Sequence, residues 1–154
     1  MKIITVILLL AGLVLGINAQ TKPLTNSKGL NPTMENAKNV AAGKNQQLIL
    51  WTSGDKEVAL KMVFMYSLNC KKHSWMDNVR LLIWGPSGKL LSEDPELQKY
   101  LNDLKNAGVE LYACKACADM YGISDKLTNL GVTVEYTGKM LADLQKEGWF
   151  ILSI

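Results

Sequence analysis

Two cysteines three positions apart are the residues of this chain best suited to chemistry. They are Cys114 and Cys117 in the segment CKAC, which follows a short apolar run and precedes an amphipathic segment. A thiol at the start of a helix lies at the positive end of the helix dipole, which lowers its pKa and favours the reactive thiolate. The pair therefore predicts thiol chemistry, with Lys115 adding a modest favourable field.

The same two cysteines have two other interpretations. In an exported protein they could form a local disulfide that staples the loop and has no reactivity. Together with Cys70 and His73 they also make a set of four residues with zinc-like internal spacing. We expect no metal site, because Cys70 and His73 end the first crossover helix, a strand length of roughly 15–20 Å from Cys114. We interpret Cys70 as a half-buried helix thiol and His73 as a solvent-facing residue near a helix C-terminus.

Two glycine-containing loops match phosphate-binding loops only in part. The segment GPSGKL, at 85–90, lacks the spacing of the ATP-binding motif G-x-x-x-x-G-K-[ST]. The segment TSGD, at 52–55, follows the first predicted strand, where a flavodoxin-type protein holds a flavin phosphate, and Trp51 or Trp84 would be available to stack on the ring. The alternative is an ordinary helix cap beside buried tryptophans. We expect no cofactor.

The remaining polar and aromatic candidates favour structural roles. Three aspartates begin helical turns and are interpreted as caps or dipole partners: Asp55, Asp94 and Asp119. A serine nucleophile needs a positioned base, and the single histidine is far from the predicted loops, so triad hydrolysis is excluded. Trp84, Met120 and Tyr121 would either form an apolar collar around the CKAC loop or, as the simpler interpretation, pack in the core.

The elements that position these residues alternate along the chain. Runs with strand character occupy 48–51, 79–84, 109–113, 132–136 and 149–152. Helices are predicted over 56–72, from 94 to 107, over 116–122 with further turns to 130, and over 139–146, whereas 85–88 has the composition of a turn. On the first helix, the predicted apolar face contains Val58, Met62, Met65 and Tyr66.

Strands that alternate with helices predict an α/β protein. We expect a flavodoxin-like three-layer fold with a mostly parallel five-stranded sheet and helices on both faces, because parallel neighbours need crossover connections. Ligands of such sheets bind beyond the carboxyl ends of the strands. That rim is predicted to consist of three loops, 52–55, 85–89 and 114–117.

Composition supports one globular domain and excludes several functions. The chain has 154 residues, of which 48% are hydrophobic and 20% charged. Its 17 Lys and Arg against 14 Asp and Glu give a net charge of +3, and the basic residues are scattered, so we expect no nucleic-acid partner. A single histidine and three cysteines do not suit histidine-rich metal sites or a disulfide scaffold.

The first residues have the pattern of a secretory signal. Lys2 precedes a largely apolar run at 3–17, and small residues follow, with cleavage predicted after Ala19. The run is shorter than the roughly 20 residues that a membrane-spanning helix needs, so no membrane association is expected after cleavage. The predicted organisation is a signal peptide at 1–19, a flexible segment at 20–47 and an α/β domain at 48–154. We expect export, most simply to a bacterial periplasm.

From Leu48 to Ile154 the chain resembles the DsrE/DsrF-like family, whose members include sulfur-relay proteins of sulfur oxidation and tRNA thiolation. The resemblance is carried by LILWTSGD, VRLLIWGPSG, the segment DPELQKYLNDLKNAGVELYACKACADMYGI, and VTVEY. In relay members, a cysteine eight residues before a glycine carries persulfide, and Cys114 with Gly122 matches that spacing. Tyr121 stands where relay members have a basic residue and Cys117 is additional, so the match argues against tRNA thiolation.

The resemblance implies Cys114 as the sulfur carrier and a homo-oligomer, as a trimer or hexamer. We therefore predict an exported protein that handles sulfane sulfur or thiol–disulfide exchange, with Cys114 as the thiolate and Cys117 as a resolving partner. A sulfur-donor or sulfur-acceptor protein is the expected partner. The alternative is a non-catalytic oligomeric binding module in which the CxxC pair is structural.

Overall fold

Five short apolar runs form one parallel sheet. The computed structural model describes residues 45–154, and its strands are β1 (Gln46–Trp51), β2 (Asn78–Ile83), β3 (Glu110–Cys114), β4 (Thr133–Glu135) and β5 (Phe150–Ser153). Their order is β4-β3-β2-β1-β5, and all neighbours are parallel. The expected flavodoxin-like α/β fold is confirmed. The predicted signal peptide at 1–19 lies outside the described residues, as does most of the segment 20–47, and β1 begins at Gln46 rather than at Leu48.

Six helices connect and cover these strands within residues 45–154. Helix α1 is continuous but changes its winding: Lys56–Val58 and Met65–Lys72 are α-helical, and Ala59–Phe64 between them is π-helical. The others are α2 (Pro86–Glu93), α3 (Pro95–Asn106), α4 (Lys115–Tyr121), α5 (Ser124–Asn129) and α6 (Thr137–Lys146). No helix in this part of the chain has the length and apolar character needed to span a bilayer.

The strand order explains how the helices divide between the two faces of the sheet. The connections β1 to β2, β2 to β3 and β3 to β4 all step in one direction, so right-handed crossovers place α1 to α5 on one face. There, Ile49 and Leu81 pack in the larger core. The connection from β4 to β5 steps back across the sheet, and α6 covers the other face, where Leu144 packs with Leu48 and Leu82. Helices on both faces of the sheet were expected, and among the described residues five helices lie on one face and one on the other.

Two of the three aspartate caps are confirmed. The Asp55 carboxylate accepts hydrogen bonds from the amides of Glu57 and Val58, at 2.8 and 3.1 Å, at the start of α1. The Asp94 carboxylate does the same for Glu96 and Leu97 at the start of α3, at 2.9 and 3.1 Å. Each cap satisfies amide groups that have no partner within their helix.

The prediction of a turn at 85–88 is wrong, because α2 begins there. Pro86 occupies the first turn of the helix, where its missing N–H costs nothing. Gly85 precedes it with a φ of 71°, a conformation that favours glycine. Gly88 lies inside the helix, and a Cβ at this position would come within 3.4 Å of the Ile123 side chain, so the glycine permits close packing against the helices that follow β3.

The apolar face predicted for α1 is also partly wrong. The buried side chains are Ala59, Val63, Phe64, Ser67 and Cys70, whereas Met62 and Met65 are exposed. The π-helical turn joins residues five apart, which brings Ala59 and Phe64 to one buried face, and the two methionines lie outside that face. Val58 and Tyr66, the other predicted members, are partly buried against the core.

Candidate functional site

Cys114 joins β3 to α4 at the carboxyl edge of the sheet. It is the last residue of the strand and the residue before the helix, with extended backbone angles of φ −67° and ψ 110°. Its side chain is only 6% exposed. The position is the one predicted from the sequence, but the thiol is buried rather than open to solvent.

Cys117 lies in the first turn of α4 and is partly buried. Its thiol is within hydrogen-bonding reach of the Cys114 thiol and of the backbone amide of Gly85. Burial raises the pKa of Cys117, the Cys114 thiol raises it further, and the Gly85 amide opposes both effects. The expectation of a lowered pKa is therefore wrong for Cys117, because removal from water outweighs the hydrogen bond from the Gly85 amide.

The two thiols line a small apolar niche between β2, β3 and the helices behind them. Its other residues are Ile83, Gly85, Gly88, Ala113, Ala118, Ile123 and Leu127. The niche has no space for a water molecule. All three cysteines of the chain are free thiols in this structure. Small residues at Gly88 and Ala118 bring the helices close enough to seal the inner side of the pair.

The topology places this site where the connections of neighbouring strands diverge. The chain leaves β3 through Cys114 towards the face that carries five helices, and it leaves β4 through Tyr136 towards α6 on the opposite face. Cys114 is paired in register with Glu135 of β4. Such a divergence opens a crevice between the carboxyl ends of two adjacent strands, which is the common ligand position of open α/β sheets. The position of Cys114 beside this crevice follows from the strand order and could not be predicted from the CKAC segment alone.

A charged network borders the thiols on the outer side of α4. Lys115 forms a 2.7 Å salt bridge with Asp119, and the Ser124 hydroxyl donates a 2.7 Å hydrogen bond to the same carboxylate. Lys115 and, to a lesser degree, Ser124 lower the pKa of Asp119. Asp119 is thus an ion-pair partner inside the helix, and its interpretation as a cap is wrong. The Lys115 ammonium also lies 5.8 Å from the ring centroid of Tyr136.

The expected aromatic and methionine neighbours are only partly as predicted. Met120 is 85% exposed and Tyr121 is exposed, so neither packs in the core. Both belong to α4, but neither lines the niche around the thiol pair. Trp84 is partly buried and packs with the core beneath α6.

The loop at 52–55 makes contacts within the chain. The amides of Thr52 and Ser53 donate hydrogen bonds to the carbonyl oxygen of Ile154, at 2.7 and 3.3 Å. Trp51 is fully buried and meets Phe64 edge-on, with 5.3 Å between ring centroids. The capped loop and the buried tryptophan correspond to the simpler of the two interpretations made from the sequence.

Cys70 and His73 lie apart from the thiol pair. Cys70 is fully buried near the end of α1, so the expectation of a half-buried thiol is wrong. His73 ends that helix, is exposed as expected, and stacks on Trp75 with 5.4 Å between ring centroids. The described residues contain no group of three or more His, Cys, Asp or Glu side chains placed to hold a metal ion.

Two groups that shape the site were not predicted from the sequence. The Gly85 amide reaches Cys117, and the buried Ser87 hydroxyl fixes the same turn by hydrogen bonds to both neighbouring strands. The available signal was the pair Gly85-Pro86, since a glycine before a proline is also a typical start of a helix.

Comparisons with solved structures support the fold. The first is a conserved protein of unknown function, BT1422 from Bacteroides thetaiotaomicron, with 35% identity and a TM-score of 0.69 over 71% of this chain and 95% of that one. The ychN protein from E. coli has 20% identity and a TM-score of 0.53, covering 71% of this chain and 99% of its own. MTH1491 from Methanobacterium thermoautotrophicum, also of unknown function, has 21% identity and a TM-score of 0.57 with the same coverage.

Sequence comparison assigns the family. No curated protein sequence gives a significant match. The family model described as DsrE/DsrF-like matches residues 75–154, which include β2 to β5 and both cysteines of the site. This chain belongs to the DsrE/DsrF-like family.

Proposed function

We propose that this protein handles sulfane sulfur or exchanges thiols and disulfides through Cys114, with Cys117 as its resolving partner. The observation that carries the proposal is the placement of the two thiols in one niche at the carboxyl edge of the sheet. Membership of a family that includes sulfur-relay proteins supports the same chemistry. The site needs no group beyond the two thiols and a sulfur donor.

The reaction follows from ordinary thiol chemistry. A thiolate of the pair attacks the outer sulfur of a persulfide R–S–SH, the bond between the two sulfurs breaks, and R–S⁻ leaves and takes a proton. The chain then holds Cys114–S–SH. An acceptor thiolate can take the outer sulfur, which regenerates Cys114. In its absence, the Cys117 thiolate attacks the Cys114 sulfur, HS⁻ leaves, and a disulfide between the two residues remains.

Reaction with a persulfide donor followed by intact mass measurement tests the proposal. We expect the wild-type protein, treated in its folded state with glutathione persulfide, first to gain the mass of one sulfur atom. With no acceptor present, its mass should then fall to two hydrogens below the starting dithiol as the disulfide between Cys114 and Cys117 forms. Cys114→Ser should lose the sulfur bound at this position, as located by peptide mapping. A folded wild type that gains neither sulfur nor this disulfide, or added sulfur that peptide mapping never finds on Cys114, contradicts the proposal.

The burial of Cys114 favours a second candidate function. A thiol that is 6% exposed in a sealed apolar niche also suits a non-catalytic oligomeric binding module, in which the pair is structural. Thiol titration of the folded protein separates the two functions. Thiols that react only after unfolding, or a disulfide that resists mild reductant, support the module, whereas reaction in the folded state supports the carrier.

We also propose that the protein is exported to a periplasm and forms a homo-oligomer that meets a sulfur-donor or sulfur-acceptor protein. The apolar run at 3–17 supports export, and the family supports assembly. Two exposed apolar side chains on edge strand β5, Phe150 and Leu152, provide a surface for a second copy. N-terminal sequencing of the protein from the periplasmic fraction tests export, with Gln20 as the expected first residue.

A further inference from the structure

The two thiols of the site differ in how they meet solvent. Cys114 comes first in the sequence and would be the attacking residue by resemblance to relay proteins, yet it is the buried member of the pair. Cys117 is the partly exposed member. We propose that Cys117 is the first acceptor of sulfur from a donor, and that Cys114 receives the sulfur only from Cys117. This inference rests on the proposed function and specifies its first step.

The niche around Cys114 supports this order. Its inner walls come from β2, β3, α2, α4 and α5, and it has no space for a water molecule. A persulfide donor must align its two sulfurs with the attacking sulfur, so it needs more room than a water molecule does. A donor can therefore reach Cys114 directly only if the surrounding helices move. Cys117 lies in the same first turn of α4 and is in contact with Cys114, so it connects the buried thiol to solvent.

The Gly85 amide gives Cys117 a specific partner. This backbone group lies within hydrogen-bonding reach of the Cys117 sulfur and favours its anionic form. Ser87 accepts a 3.0 Å hydrogen bond from the amide of Trp84 and thereby fixes the turn that carries Gly85. The Gly85 amide, as a hydrogen-bond donor, stabilises negative charge on Cys117 twice. It does so when Cys117 attacks the persulfide and again when Cys117 departs as a thiolate.

The transfer balances in two steps without an oxidant or a reductant. First, the Cys117 thiolate attacks the outer sulfur of R–S–SH, the sulfur–sulfur bond breaks, and R–S⁻ leaves, giving Cys117–S–SH. Second, the Cys114 thiolate attacks the outer sulfur of that persulfide, and Cys117 leaves as a thiolate and takes the proton that Cys114 lost. The outcome is Cys114–S–SH beside a Cys117 thiol.

Rates of sulfur loading on single variants test the order. Wild type, Cys117→Ser and Cys114→Ser, each as the full chain, are treated with glutathione persulfide in the folded state and sampled by intact mass. We expect Cys117→Ser to load at least about tenfold more slowly than wild type, because only the buried thiol remains. Cys114→Ser should load faster than Cys117→Ser, with the sulfur on Cys117. In urea, the loading rates of the two variants should become similar.

Three outcomes separate this inference from the proposed function. Loading of folded Cys117→Ser at the wild-type rate overturns the order while the proposed function stands. Failure of the folded wild type to load at all overturns the proposed function itself. If Cys114→Ser does not fold, Cys114→Ala replaces it, and iodoacetamide provides an independent readout: Cys117 of that variant should react about tenfold faster than Cys114 of Cys117→Ser, and equal rates contradict the order.

Discussion

The Ser87 hydroxyl donates a 2.7 Å hydrogen bond to the carbonyl oxygen of Trp51, which is 36 residues earlier in the chain. The same hydroxyl accepts a 3.0 Å hydrogen bond from the amide of Trp84. Ser87 is fully buried, so it ties together the carboxyl ends of β1 and β2 in a place that water does not reach. The segment that resembles a surface turn in the sequence is therefore a buried connection beside the thiol site.

Ser87→Ala should lower the free energy of unfolding by about 1–3 kcal/mol, because it removes both hydrogen bonds of a buried hydroxyl and leaves the Trp84 amide and the Trp51 carbonyl only their 2.9 Å bond to each other. Urea denaturation measures the loss. Ser92→Ala in the same helix is the matched control, since among residues 45–154 the Ser92 hydroxyl bonds only to the Lys89 carbonyl one turn earlier. Its loss should be under about 1 kcal/mol. Equal effects of the two substitutions would show that the link between the strands adds nothing.

Gly122→Ala should destabilise the protein by about 1 kcal/mol, because Gly122 ends α4 in a left-handed conformation with a φ of 67°. Gly138→Ala is the control. That glycine lies in the first turn of α6 with no positive φ, and neither position has a heavy atom within 4 Å of an added Cβ. The control should be neutral or stabilising by up to about 1 kcal/mol. Thermal unfolding of both variants checks the difference, and a stabilised Gly122→Ala would contradict the backbone argument.

The sequence predicted the strands well because each is a short apolar run with polar or glycine neighbours. The predicted strand at 79–84 corresponds to β2 (Asn78–Ile83), and the predicted helix at 116–122 to α4 (Lys115–Tyr121). Helix α2 was missed because Gly85-Pro86-Ser87 has the composition of a turn. Its structural role depends on the Trp51 carbonyl, a distant partner that local sequence rules do not consider.

The site was predictable in position but not in exposure. The order of strand, CKAC and helix placed Cys114 at the carboxyl edge of β3, as the structure has it. Its burial depends on residues far along the chain, such as Gly88 and Ile123, which close the niche. The chemical role of each thiol stays a prediction, because burial describes where a sulfur lies and not what it reacts with.

Cys70 should make the stability of the protein sensitive to alkaline pH. Burial raises the pKa of this thiol above its ordinary value of 9.0, and a hydrogen bond with Tyr66 only partly opposes the shift. The folded state thus holds the Cys70 proton more tightly than the unfolded state. The resulting stabilisation is complete below the unfolded pKa and is lost as pH rises towards the folded pKa.

Cys70→Ala should therefore unfold at lower urea concentration at neutral pH, yet lose less stability than wild type between about pH 8 and pH 10. Ser67→Ala is the matched control on the same buried stripe, because its hydroxyl does not titrate in this range. The control should keep the wild-type dependence on pH. Parallel pH profiles for wild type and Cys70→Ala would contradict the assignment to this thiol.

Edge strand β5 should be the surface through which copies of this chain associate. Phe150 and Leu152 are 56% and 36% exposed, and because alternate residues of a strand share a face, they form one apolar strip. Among residues 45–154, β5 pairs only with β1, which leaves its outer edge available. The double substitution Phe150→Lys with Leu152→Lys should convert the proposed oligomer to a monomer in sedimentation velocity. Met62→Lys with Met65→Lys, two exposed methionines of α1, is the control and should leave the oligomer intact. Lysines on an edge strand oppose pairing with another strand, which is why the β5 variant should dissociate. A monomeric wild type, or equal dissociation of both double variants, would rule out β5 as the interface.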